Sequence, residues 1–106
     1  MPIMEINIIP LGTKTPSVSR YIASALRILK EEKNIKYELT AMATIIEADT
    51  LDLLLSLAKK MHQAVLNEGI SRVVTTIKID DRKDKKSTIK EKVQSVNKNK
   101  ESKDKC

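Results

Sequence analysis

The chain has 106 residues, of which 41% are hydrophobic, 32% charged and 2% aromatic, and its formal net charge is +6. That length accommodates one domain with a modest core, and the two aromatics, Tyr21 and Tyr37, are too few for a base-stacking platform. Residues 1–77 hold nine basic and eight acidic side chains, and residues 78–106 hold eleven and six, so the nearly neutral body lacks a fold-wide footprint for DNA.

Ile3 to Ile9 is rich in β-branched residues and is predicted as a strand, with Met4, Ile6 and Ile8 on one face and Ile3, Glu5, Asn7 and Ile9 on the other. Pro10-Leu11-Gly12 ends it. A helix follows from about Pro16 to Lys33, capped by Thr15 or Ser17, with Val18, Ile22, Ala25, Leu26 and Leu29 as its apolar stripe. Two short strands, Lys36 to Thr40 and Ala43 to Ala48, lie too close together to hold another element between them and form a hairpin. Asp49 or Thr50 opens a second helix that runs to about Asn67, with Leu54, Leu57, Ala58, Met61 and Val65 at helical spacing and Gly69 in the left-handed position beyond its end. Arg72 to Asp80 is a fourth strand. A short third helix begins at Ser87, with Ile89, Val93 and Val96 as a thin apolar stripe. Residues 98–106 contain nothing to bury and are expected to form a disordered basic tail, which leaves 1–97 as the folded domain.

The order βαββαβ plus a terminal helix specifies an α+β, ferredoxin-like fold: a four-stranded antiparallel sheet with two helices on one face, plus a short C-terminal helix. The first and fourth strands offer apolar residues to both sides. The second sheet face is therefore expected to be covered by another copy of the chain, or by the third helix folded back.

Candidate chemistry is sparse. Cys106 is the single cysteine, which excludes an intrachain disulfide and suits a reducing cytoplasm. No stretch is apolar for long enough to span a membrane, and no signal peptide is visible, so a cytoplasmic location is expected. His62 is the single histidine and reads as a packing residue; no cluster has metal-ligand spacing, and no glycine-rich phosphate loop is present. The turn at Pro10 to Thr13 is an ordinary strand–helix turn or a main-chain anion site. Asn7 and Glu47 interrupt apolar strands, so each either lies at an edge or faces a partner, because an unpaired buried polar group costs about 1–3 kcal/mol.

Three stretches carry a family resemblance: Ile9 to Thr13 with Pro16 to Ala23; Tyr37 to Glu47; and Gly69 with Arg72 to Arg82, then Lys92 to Val96. Together they resemble the small ferredoxin-like proteins that bind thiamine or its hydroxymethylpyrimidine moiety. Ala43 stands where that family usually has glycine, and Ala48 where it often has glycine or serine, which narrows local backbone freedom. The resemblance implies homodimers or homotetramers, a ligand pocket near the sheet and a subunit interface, and no established enzymatic activity; no metal or cofactor is expected. Glu47 could accept from the amino group of an aminopyrimidine, Asn7 offers donor and acceptor together, Thr44 and Ser19 add hydroxyls, and Met42 would wall the ring. An oligomer that binds an anion at the Pro10 to Ser19 segment is the alternative reading. An acylphosphatase-like enzyme lacks its glycine-rich loop here, and neither nucleic acid nor membrane is an expected partner.

Overall fold

The computed structural model of the chain describes residues 1–13 and 19–83. The cap expected at Thr15 or Ser17, the third helix beyond Ser87 and the tail 98–106 lie outside the described residues. The elements are β1 (Ile3–Leu11), α1 (Ser19–Lys30), β2 (Ile35–Leu39), β3 (Thr44–Ala48), α2 (Leu51–Leu66) and β4 (Arg72–Asp80). The strands form one antiparallel sheet in the order β2-β3-β1-β4, flanked by the two helices in the ferredoxin-like arrangement.

The register sorts the side chains. Met4 pairs with Ile46 on one side and Ile79 on the other, and Ile46 pairs with Tyr37, so these residues share the helix-covered face. Glu5, Ile45, Glu38 and Lys78 form the neighbouring row on the opposite face. That second face is mixed: Ile3 and Glu47 are buried, Ile9 and Val74 are exposed, and charged residues occupy the rows between.

β1 runs two residues beyond the predicted Ile9, through Pro10. Ala48 N–H donates to Pro2 C=O, so even-numbered positions of β1 turn their main-chain groups toward β3 and odd-numbered ones toward β4. The missing N–H of Pro10 therefore costs the β1–β4 ladder nothing, and pairing with β4 continues to Leu11↔Arg72.

α2 supplies most of the core. Thr50 caps it, its hydroxyl accepting from Leu53 N–H at 3.1 Å, and Gly69 takes φ 86° just beyond its end. Leu54, Leu57, Met61 and Val65 are at most 2% exposed and pack on Met4, Ile6, Ile46 and Ala48. His62 Nδ1 lies 2.6 Å from Thr75 Oγ1 and ties α2 to β4, consistent with a packing role.

α1 leans on α2 more than on any strand. Ala25 and Leu29 reach the core. A polar clamp secures the helix to the segment after α2: Arg20 Nε donates to Glu68 Oε2 at 3.3 Å, Arg20 Nη2 donates to Glu68 C=O at 3.1 Å, and Ser24 Oγ donates to Glu68 Oε1. The Ser24 hydrogen bond, helped by the Arg20 charge, holds the Glu68 carboxyl below its ordinary pKa of 4.5.

Two stability predictions follow from this packing. Leu57→Ala should lower the unfolding free energy by about 2–5 kcal/mol in urea denaturation. Leu55→Ala, at a position 46% exposed on the same helix, should change it by about 0.5 kcal/mol or less. Because the folded-state pKa of Glu68 is depressed, its clamp contributes stability above the unfolded-state pKa and loses it as pH falls through the folded value. The melting-temperature gap between the native chain and Glu68→Gln should therefore be full at neutral pH and shrink progressively below pH 4.5. A gap that stays constant down to acid unfolding would refute the clamp.

Candidate functional site

The strands of the sheet differ in length. β1 and β4 have nine residues each, whereas β2 and β3 have five. Pairing of β1 with β3 ends at Ile6↔Thr44, but pairing with β4 continues to Leu11. Past Ile6, the chain that should continue β3 instead turns away through Thr40–Ala43 into β2. Thr40 holds this turn: its N–H donates to Ala43 C=O at 2.9 Å, its hydroxyl donates to the same oxygen at 2.7 Å, and it accepts from Ala43 N–H at 3.1 Å.

A cavity of about 260 Å³ fills the resulting space. Its floor is the stretch Ile6 to Pro10 of β1, one wall is Tyr21, Ile22, Ala25 and Leu26 of α1, and the other is the hairpin from Leu39 to Thr44. Met61 and Val65 of α2 close the back. Five consecutive β1 residues line it. Successive side chains of a strand point to opposite faces, so the cavity must also meet the strand's edge, where main-chain groups lie.

The walls are mainly aliphatic, and the side-chain polar groups on the helix-covered side are few: the hydroxyls of Thr40 and Thr44 and the phenol of Tyr21; Asn7 borders the cavity along the strand, with its side chain on the other sheet face. Thr44 is buried on the helix-covered face. Met42, 81% exposed at the hairpin tip, stands at the mouth. Such a cavity can enclose a flat ring between apolar walls and orient it with a small number of hydrogen bonds.

Of the residues singled out from sequence, Asn7, Met42 and Thr44 line this cavity. Ser19, at the start of α1, is exposed and does not line it. Glu47 is 2% exposed but is three positions from Thr44 on the same strand, which puts it on the other sheet face, and it is not part of the cavity wall. The structure thus brings three of the five together and separates the other two. Sequence reasoning missed the α1 wall. Ile22, Ala25 and Leu26 belong to a stripe that reads as ordinary core, with Tyr21 beside it, and only the short β3 register shows that part of it faces open space.

Among the described residues no group of three or more His, Cys, Asp or Glu is placed to hold a metal ion, and no helix is long and apolar enough to cross a membrane.

Comparison with known proteins agrees with the fold and gives it a family. The solved structure of protein MJ1052 from Methanocaldococcus jannaschii superposes with a TM-score of 0.81 at 43% identity, covering 91% of this chain and 95% of that one. UPF0045 protein YqgV of Bacillus subtilis is 48% identical over 101 residues, 92% of this chain and 96% of the relative. A UPF0045 protein of Methanothermobacter thermautotrophicus is 47% identical over 92 residues, 87% of this chain and 92% of the relative. Residues 4–97 match the family described as thiamine-binding protein, and that span includes every wall of the cavity, so the chain belongs to the thiamine-binding protein family.

Proposed function

We propose that the chain is a non-catalytic binding protein for thiamine or a related pyrimidine, held in the cavity between α1, the end of β1 and the β2–β3 hairpin. The observation that carries this reading is the cavity itself, a preformed apolar slot inside a family described by thiamine binding. At about 260 Å³ it lies just below the roughly 300–1,000 Å³ of common small-molecule pockets, a size suited to one substituted heteroaromatic ring rather than a nucleotide. The pyrimidine ring fits between the aliphatic walls of Ile6, Ile22 and Leu26. The thiazolium cation stays near the mouth, where Met42 offers a polarisable sulfur and water remains accessible.

Assembly into homodimers or homotetramers belongs to the same proposal. It is supported by the apolar pair Ile9 and Val74, 44% and 41% exposed and directly opposite one another on the sheet face away from the two helices.

Thiamine and hydroxymethylpyrimidine should each raise the melting temperature of the purified chain saturably. At a ligand concentration of 100 Kd, linkage adds about 2.7 kcal/mol. For a domain of this size that is a rise of roughly 10–20 °C. No shift at millimolar ligand in a folded sample would overturn the reading. Thr44→Val should weaken binding about 3- to 10-fold in calorimetric titration, the worth of one hydrogen bond. Glu47→Gln should leave affinity unchanged; the reverse pattern would move the ligand to the other sheet face.

A further inference from the structure

We infer that the edge of β1 beyond the end of β3, which has no partner strand among the described residues, is the specificity element of this cavity, and that it selects planar heteroaromatics carrying a ring-nitrogen acceptor beside an exocyclic amino donor. This inference rests on the cavity being the ligand site. The supporting observations are independent of any ligand.

Even-numbered residues of β1 direct their main-chain groups toward β3, as the hydrogen bond from Ala48 N–H to Pro2 C=O shows. Pro2, Met4 and Ile6 lie opposite Ala48, Ile46 and Thr44 in turn. The next members of that series are Ile8 and Pro10. No residue of β3 lies opposite them, because the chain has turned away at Thr40–Ala43. Pro10 has no N–H to offer. Among the described residues Ile8 therefore has no main-chain partner, and it presents one donor and one acceptor side by side at the floor of the cavity.

A strand edge with free N–H and C=O groups is normally a site for pairing with another strand. Here α1 and the hairpin enclose it, leaving room for a ring rather than a chain. An aminopyrimidine supplies the complement: its ring nitrogen accepts from Ile8 N–H, and its amino group donates to Ile8 C=O. Asn7 and Ile9 face β4 with their main-chain groups and take no part in this contact.

The inference predicts a specific hydrogen-exchange pattern, readable by NMR on the full chain. In the free protein the Ile8 amide should exchange quickly while those of Asn7 and Ile9 exchange slowly. Saturation with 4-amino-5-hydroxymethyl-2-methylpyrimidine should slow Ile8 at least tenfold and leave its neighbours unchanged. The 4-oxo analogue, which reverses the donor and acceptor, should bind at least tenfold more weakly. Ile8→Pro removes the N–H at a position outside the β1–β4 ladder, as Pro10 already does, and should bind at least tenfold more weakly than Ile8→Val. Should Ile8→Pro fail to fold, the analogue pair and the exchange pattern still decide. Equal binding of the amino and oxo compounds, or an Ile8 amide that is slow in the free protein or indifferent to ligand, would overturn the edge readout while leaving the binding function intact. Absence of binding by thiamine and by both pyrimidines would instead overturn the function.

Discussion

The arrangement of this protein depends on one inequality: β1 and β4 pair over nine positions, whereas β3 accompanies β1 for only four. A full-length third partner would close the sheet and bring its hairpin turn level with the end of β1. With a short one, the β1–β4 ribbon extends past its neighbour. Its exposed edge then needs either solvent or a cover, because main-chain polar groups are seldom left unpaired in an apolar setting. α1 and the Thr40 turn provide a partial cover, and the cavity is the space that this cover does not fill.

The best-packed core and the cavity consequently centre on different ends of the sheet, sharing Ile6, Ala25, Met61 and Val65 where they meet. The best-packed residues, Met4, Ile46, Leu54 and Leu57, gather where all four strands are present and α2 lies over them. The cavity occupies the other end, where α1 leans on α2 and the Arg20–Glu68–Ser24 clamp fixes it in place. A helix supported from the side can stand over a sheet without collapsing onto it. Ala25, the smallest side chain of its apolar stripe, keeps the space beneath it open.

Much of this was legible in the sequence, for reasons tied to particular residues. Alternation and β-branching located β4 to the residue at Arg72–Asp80, and Gly69 marked the left-handed position after α2 because few other residues tolerate it. The helical spacing of Leu54, Leu57, Met61 and Val65 identified the buried face of α2 correctly. Pro10 misled the reading of β1, since a proline ends a strand only when its nitrogen faces a partner. The cavity was illegible because it is a property of register: which β1 residue lies opposite Thr44 is set by tertiary pairing. The separation of Glu47 from Thr44 could have been read, as an odd spacing on a strand always divides two residues between faces.

That separation bears on how a cationic ligand would lie. With Glu47 behind the sheet, no carboxylate among the described residues lines the cavity wall, and a bare cation in an aliphatic enclosure is strongly disfavoured. On the proposed reading, the thiazolium ring must therefore stay where water can solvate it, at the mouth beside Met42. The neutral aminopyrimidine, which needs only a donor and an acceptor, takes the interior. The deep end then recognises shape and hydrogen-bond polarity, and the outer end tolerates charge without selecting for it. A pyrimidine without its thiazolium partner would meet the same recognition groups as the whole vitamin, so a site built this way reads the ring that both compounds share.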